Sequence, residues 1–175
     1  ANNVTLTISA DTTGRTNNGI SVDGGISGAT VIIDSGVTVS VTNNQAIDAT
    51  ASTNLTVINS GTLSAVAKTI ELEGATSGAV INNNFGGIIT ATNNTIKTVG
   101  GGGGSSNTTI NNSGLISTTS VGHAIAPVTG NDTGMVINNF STGVIIKAST
   151  ADNAQEVIEL GDSGRIINSG QIRND

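Results

Sequence analysis

A short unit of the form Ile-Asn-Ser-Gly, or a close variant of it, returns again and again along this 175-residue chain. Its central isoleucines are Ile33, Ile58, Ile81, Ile110, Ile137 and Ile167. They recur roughly every 27 residues, a period typical of solenoid proteins. A unit of this size cannot bury its own apolar side chains, so it must be stabilised by the units stacked on either side. The repeat therefore predicts a stack of similar coils.

Each repeat contains three short segments with the alternating pattern of a β-strand. One ends at the Ile-Asn unit, a second follows the glycine, as in Thr62 to Ala65, and a third lies midway to the next unit, around Ile70 or Ile96. No window has the 3.6-residue apolar period of an amphipathic helix. Three strands and their turns make one coil of a parallel β-helix. We therefore predict an all-β fold of about six to seven such coils, forming a single domain over residues 1–175.

Composition agrees with β-structure and excludes several functions. Apolar residues make up 35% and charged residues 10%, which is too apolar for a disordered chain. The net charge of −6 argues against nucleic acid, which selects a basic stripe with aromatic stacking platforms. Cysteine is absent, so the chain has neither disulfides nor thiolate metal sites. No segment is long and apolar enough to predict a membrane-spanning helix.

Stacking predicts columns of like residues beside the Ile-Asn unit. Asparagine amides can hydrogen-bond from coil to coil, and asparagine tolerates left-handed dihedrals, so we predict a structural ladder at this turn. Its members are Asn59, Asn82, Asn111, Asn138 and Asn168. Adjacent strand residues point to opposite faces, so core isoleucines would leave the residues before them as an outward aliphatic stripe. This stripe comprises Ile32, Val57, Val80, Val136 and Ile166. It is interpreted as a contact surface, with burial of both columns as the alternative.

The third strand holds the main candidates for chemistry. Glu71 and Glu73 are predicted to face outward. Alignment places Asp48, Glu71 and Lys97 in one outward column, with Glu159 two coils further on. Two carboxylates one coil apart would lie about 5 Å from each other, as in retaining glycoside hydrolysis, whereas the adjacent lysine favours an exposed ion-pair ladder. We expect no enzymatic activity; a carbohydrate-active β-helix centred on Asp48 and Glu71 is the alternative.

Other motifs lack the residues that their chemistry would need. His123 is the only histidine, no G-x-S-x-G motif accompanies it, and we expect it in a loop. Gly100 to Gly104 is not followed by the lysine of a phosphate-binding loop and predicts a flexible corner. Asp132 and Asp162 are lone acidic turns without the repeated calcium-binding pattern. We therefore predict no catalytic residue, no metal and no cofactor.

Runs such as VINSGTLSA and TINNSGLIST, linked by segments such as NNTIKTV and GHAIAPV, resemble the repeat-rich passenger domains of bacterial autotransporters over essentially the whole chain. The resemblance implies a right-handed β-helix, secreted through a C-terminal barrel and displayed extracellularly or at the bacterial outer cell surface. It implies that the chain is part of a longer passenger that acts as a stalk or an adhesin. The partners it implies are another copy, a host or cell-surface receptor, or a glycan, without nucleic acid and without membrane insertion by this segment.

Overall fold

The computed structural model describes residues 3–74, 76–99, 105–127, 133–148 and 155–175, and in these ranges all regular structure is β-strand. The strands are β1 (Thr5–Ile8), β2 (Thr12–Arg15), β3 (Ile20–Val22), β4 (Thr30–Ile33), β5 (Thr38–Val41), β6 (Gln45–Thr50), β7 (Thr56–Asn59), β8 (Thr62–Ala65), β9 (Lys68–Glu73), β10 (Val80–Asn83), β11 (Ile88–Ala91), β12 (Asn94–Val99), β13 (Thr109–Asn112), β14 (Leu115–Thr118), β15 (Ile125–Ala126), β16 (Val136–Asn139), β17 (Val144–Lys147), β18 (Arg165–Asn168) and β19 (Gln171–Asn174). The all-β prediction is confirmed.

These strands pair in parallel into three sheets. The first sheet contains β1, β4, β7, β10, β13, β16 and β18, the second contains β2, β5, β8, β11, β14, β17 and β19, and the third contains β3, β6, β9, β12 and β15. Three successive strands form one coil, and the coils are numbered 1 to 7 by their strands in the first sheet. In coil 6 a single bridge between Ile125 and Ile158 continues the third sheet. The predicted β-solenoid of three-stranded coils is confirmed.

The core is a stack of aliphatic columns, because alternate residues of each strand point into the solenoid. The inward columns include Val31, Val57, Ile81, Ile110 and Ile137 in the first sheet, Val39, Leu63, Ile89, Ile116 and Ile145 in the second, and Ile20, Ile47, Ile70, Ile96 and Ile125 in the third. Burying one such side chain contributes about 1.5–3 kcal/mol. The columns therefore stabilise the stack along its whole length.

The corner between the third and first sheets alternates between asparagine and glycine from coil to coil. Two residues before each first-sheet strand, φ is positive at Asn3, Gly28, Asn54, Gly78, Asn107 and Gly134 in coils 1 to 6, and at Ser163 in coil 7. A Cβ atom at Gly78 would lie 2.6 Å from Oδ1 of Asn54, and one at Gly134 would lie 2.7 Å from Oδ1 of Asn107. The asparagine of one coil thus fills the space that a side chain in the next coil would need. Glycine is required there for its size, since asparagine adopts the same positive φ in the alternate coils.

The turn from the first sheet to the second alternates in the same way. From coil 2 onward it spans residues 34–37, 84–87 and 140–143 in even coils, but only residues 60–61, 113–114 and 169–170 in odd coils. Two of the long turns carry the aromatic residues, Phe85 and Phe140. The solenoid therefore repeats every two coils, a period that alignment of single repeats did not reveal.

Two features predicted from the sequence lie outside the described residues, namely the glycine run 100–104 and the acidic turn at Asp132. The other acidic turn is described: Asp162 is exposed and bridges Thr133 of the preceding coil.

Candidate functional site

Asparagine side chains form a ladder inside the solenoid, at the end of the first-sheet strands, and it is buried except at its last member in coil 7. This inner ladder consists of Asn59, Asn83, Asn112, Asn139 and Asn168. Each of the first four members donates from Nδ2 to Oδ1 of the next member at 2.8 Å. An amide both donates and accepts, so the pattern can be repeated from coil to coil without leaving a buried group unpaired. Of the buried amide atoms in this ladder, only Oδ1 of Asn59 has no hydrogen-bond partner among the described residues, because coil 2 places Ile33 above it.

A second ladder lies on the outer surface, one residue earlier in each strand. This outer ladder consists of Asn82, Asn111 and Asn138, all half-buried. Asn138 donates to Asn111 at 2.8 Å and Asn111 donates to Asn82 at 2.9 Å, so its hydrogen bonds run opposite to those inside. The predicted single ladder is therefore wrong in register. In the Asn-Asn pairs the second asparagine faces inward, and it is this residue that stacks with Asn59 and Asn168.

The predicted aliphatic stripe is also wrong as a single column. Val57 belongs to the core and is fully buried. Ile166 occupies the same inward column in coil 7, where it is 37% exposed. Val80 and Val136 do point outward, in a half-buried column that they share with threonines, whereas Ile32 lies in the column of the outer ladder. The isoleucines used for the alignment do not all lie in one column of the structure, because their position within the first-sheet strand shifts by one residue between some coils. The residues that precede them therefore do not share a column either, and this explains the error.

The outward sides of the first and second sheets carry no charged side chain from coil 2 to coil 6; we call them the charge-free faces. They consist of Thr30, Ile32, Thr56, Ile58, Val80, Asn82, Thr109, Asn111, Val136 and Asn138 in the first sheet, and Thr38, Ser40, Thr62, Ser64, Ile88, Thr90, Leu115, Ser117, Val144 and Ile146 in the second. Lys147 is the charged residue on these strands, but it points inward, is 1% exposed and donates to the carbonyl of Gln155 at 2.8 Å.

A shallow apolar groove opens where the charge-free face of the second sheet meets the alternating turns. It measures about 310 Å³ and is lined by Phe85, Ile88, Leu115 and Val144. Phe85 is 79% exposed, the largest exposure among the described apolar side chains. The groove forms because the long turns of coils 4 and 6 project on either side of the short turn of coil 5.

The third sheet differs from the other two, because charged side chains stack on its outer side. The predicted column is confirmed as far as Asp48, Glu71 and Lys97, which are paired in register on successive coils. Glu71, however, is fully buried, although it was predicted to be exposed. Its carboxylate accepts hydrogen bonds from Lys68 and Gln45, so the ion pair lies within one strand and not with Lys97.

Burial and the negative charge of Glu71 disfavour the ionised forms of the neighbouring carboxyl groups. Burial, and next the charge of Glu71, raise the pKa of Asp48. Burial and the same charge also raise the pKa of Glu73. Asn18 donates to Oδ2 of Asp48 at 2.7 Å, but Oδ1 of Asp48 and Oδ1 of Asn18 are buried without a hydrogen-bond partner among the described residues. Asn18, Gln45 and Lys68 were not predicted as partners of these carboxylates; for Lys68 the signal was its position three residues before Glu71.

Asp48, Glu71 and Glu73 form the group of described residues best placed to hold a metal ion, with one oxygen from each lying within 4.8 Å of the others. Carboxylates in this arrangement suit a divalent cation in principle. Lys68 already supplies a positive charge to Glu71. An ion-pair network is therefore a sufficient explanation for the cluster.

His123 lines a cleft on the third side of the solenoid, across coils 4 to 6. The cleft measures about 510 Å³, and its polar lining includes Asn94, Lys97, Gln155 and Glu159. His123 is a fixed wall of the cleft: its backbone N–H donates to Oδ1 of Asn94 at 2.9 Å, and Nε2 lies 3.3 Å from a carboxylate oxygen of Glu156. The hydrogen bond with His123 contributes, after a backbone hydrogen bond, to the lowered pKa of Glu156. His123 lies in a loop, as predicted, whereas its contacts with Asn94 and Glu156 were not predicted.

Fold and ladders together define the class of this protein, a parallel β-solenoid. No protein-family model, no curated protein and no solved structure matches the chain. Among the described residues there is no helix with the length and apolarity needed to cross a membrane.

Proposed function

We propose that this chain is a module of a bacterial passenger protein displayed outside the cell, which acts as a stalk or adhesin and associates side by side with other copies through its charge-free faces. The observation that carries the proposal is the distribution of charge. Within coils 2 to 6 the exposed charged side chains of the described residues lie on the third side of the solenoid or in its turns. Two broad faces are left neutral in a chain of net charge −6.

Regular stacking supports the role of a stalk. The register continues without a break from β1 to β18 in the first sheet, and strands in such a sheet are about 4.8 Å apart, so the coils extend for about 30 Å. Aliphatic columns connect successive coils from inside, and the inner ladder adds hydrogen bonds from coil 3 to coil 7. A stack held in this way is suited to project a surface at a fixed distance.

Neutral faces support association between copies. Two molecules of net charge −6 repel each other most strongly where their acidic groups face, and the charge-free faces avoid this repulsion. These faces present Thr, Ser and Asn side chains in flat columns, beside the apolar groove at Phe85. A single hydrogen bond contributes only about 1 kcal/mol net, so affinity requires a long matched surface. A regular solenoid face is such a surface.

The carbohydrate-active alternative depended on Asp48 and Glu71 as a pair of accessible carboxylates. Glu71 is fully buried, and both of its oxygens accept hydrogen bonds from Lys68 and Gln45. A nucleophile or general acid must reach the substrate. We therefore do not propose a glycosidase site at this pair.

Sedimentation velocity over a wide range of concentrations tests the proposal. We expect the chain to associate as its concentration rises, and the double variant Val80→Lys, Val136→Lys to remain monomeric because it places two charges on a neutral face. The matched control Ser21→Lys, Thr50→Lys adds the same charge to exposed positions on the third sheet and should still associate. A native chain that stays monomeric throughout, or a control that dissociates as fully as the face variant, would overturn the proposal.

A further inference from the structure

The His123 cleft is not needed for a stalk or for the charge-free faces, and its chemistry is different from theirs. It lies on the third side of the solenoid, and coils 4, 5 and 6 all contribute lining residues. Its volume of about 510 Å³ falls within the range of clefts that bind small ligands. The remaining question is which ligand its walls would recognise.

Lys97 provides a cation that no described carboxylate neutralises in an ion pair. In the third sheet Lys97 pairs in register with Glu71. Glu71 is instead satisfied by Lys68 and Gln45 from its other side. Lys97 forms no ion pair within the described part of the chain, and its side chain lines the cleft. Its ammonium group is therefore available as a donor to a ligand.

A second part of the cleft lining supplies acceptors, and His123 holds it in place. Nε2 of His123 lies 3.9 Å from a carboxylate oxygen of Glu159 and 3.3 Å from one of Glu156. His123 is itself almost fully buried and is fixed to coil 4 through Asn94. Glu159 is half-buried and lines the cleft. This part of the lining is thus held between three coils before any ligand arrives.

Both signs of charge are present in one small cleft, and this limits the ligand. An anion would be attracted by Lys97 but repelled by Glu159. A simple cation would be attracted by Glu159 but repelled by Lys97. The amides of Asn94 and Gln155 add further donors and acceptors. A hydroxyl group both donates and accepts, so a neutral ligand with several hydroxyls can pair with every one of these groups. Pro127 and Ala126 offer a small apolar surface for the C–H face of such a ligand.

We propose that the His123 cleft is a binding site for a neutral sugar, a mono- or disaccharide unit of an uncharged glycan, with Lys97 and Glu159 as its main hydrogen-bonding partners. The site binds without catalysis. It does not depend on side-by-side association, because the cleft lies on a different side of the solenoid from the charge-free faces.

Titration of the ¹⁵N-labelled chain by NMR tests this proposal directly, with maltose, cellobiose, lactose and chitobiose as neutral probes and with galacturonate and glucosamine as charged ones. We expect at least one neutral disaccharide to shift the amide signals of residues 122–126 at millimolar concentration, and to do so more than either charged sugar. Lys97→Met and Glu159→Gln should each reduce the affinity about tenfold, the loss of one good hydrogen bond to a charged group. Thr92→Ala, an exposed change in coil 4 outside the cleft lining, is the matched control and should bind as the native chain does.

Three results would overturn the proposal. These are the absence of shifts with all four neutral sugars, stronger binding of a charged sugar, and unchanged binding in both Lys97→Met and Glu159→Gln. Two independent variants are used so that misfolding of one, visible in its own spectrum, leaves the other as a test. None of these results bears on association through the charge-free faces, which sedimentation measures separately.

Discussion

The inner ladder of the first sheet and the acidic cluster of the third sheet satisfy the hydrogen bonds of buried polar groups in different ways. Both place polar side chains in the stack of coils, and the central members, Asn59 to Asn139 in the ladder and Glu71 in the cluster, are shielded from water. The inner ladder repeats one neutral residue, with four hydrogen bonds of 2.8 Å from Asn59 to Asn168. The third-sheet column changes at every coil, through Ser21, Asp48, Glu71, Lys97 and Ala126.

The difference follows from the chemistry of the two groups. An amide is its own hydrogen-bond partner, whereas a carboxylate only accepts and repels a copy of itself. A carboxylate column therefore cannot be extended and needs partners of other types from neighbouring strands. Polar side chains therefore stack in regular columns on the two neutral sheets. The charged and variable side chains, including those of the His123 cleft, lie on the third side of the solenoid.

Removal of Lys68 should give the largest loss of stability, because it leaves the buried carboxylate of Glu71 without its cation. For Lys68→Ala we expect the free energy of unfolding to fall by about 3 kcal/mol, since one partner of a buried pair is lost while Gln45 remains. Urea unfolding followed by circular dichroism measures this. Lys97→Ala, one coil away on the same face and without an ion pair to a described residue, is the control and should change stability by less than about 0.5 kcal/mol. Equal effects would contradict the assignment of the buried pair to Lys68.

Adjacent asparagines on β13 provide the next test, because one belongs to the inner ladder and the other to the outer ladder. Asn112→Leu keeps a similar size but removes the donor to Asn139 Oδ1 and one acceptor of Asn83, so we expect a loss of about 2 kcal/mol. Asn111→Leu interrupts only the half-buried outer ladder, and we expect a loss of about 0.5 kcal/mol. Urea midpoints of the two variants compare them directly. A larger loss for Asn111→Leu would mean that the register of the first sheet is wrong.

Asp48→Asn should have the smallest effect and the opposite sign. The pKa of Asp48 is raised by burial and by Glu71, so the folded chain binds this proton more readily than the unfolded chain. The stability of the native protein therefore falls as the pH rises from the ordinary value of 3.8 through the folded pKa. Asparagine removes this cost, so the variant should be slightly more stable at neutral pH, and its advantage should disappear as the pH falls towards 3.8.

Thermal unfolding of both proteins between neutral and acidic pH measures the difference. A variant that is less stable at neutral pH, or whose advantage does not depend on pH, would show that the charge of Asp48 is not a burden on the fold.

Much of the fold could be predicted from the sequence, because each repeat carries its own strands and its own turn. The third-sheet column of Asp48, Glu71 and Lys97 was also aligned correctly, since single isoleucines precede each member. The ladder was misassigned because an Asn-Asn pair offers two residues for one inward position, and only the register decides between them.

Other features escaped prediction because they depend on more than one repeat. Alternation of asparagine and glycine at the corner, as at Asn54 and Gly78, results from the side chain of one coil filling the space above the next, so it has a period of two coils. Glu71 points to the outer side of its strand but is covered by Lys68 and Gln45. Strand alternation gives the direction of a side chain and does not show what covers it.

Cysteine cross-linking tests most directly which side of the solenoid meets another copy, because the native chain has no cysteine. Val80→Cys places one thiol on a charge-free face, and Thr50→Cys places one on the third sheet. With a short thiol-specific cross-linker, we predict covalent dimers of Val80→Cys at concentrations at which Thr50→Cys remains monomeric. Dimers formed equally by both variants, or mainly by Thr50→Cys, would contradict association through the charge-free faces.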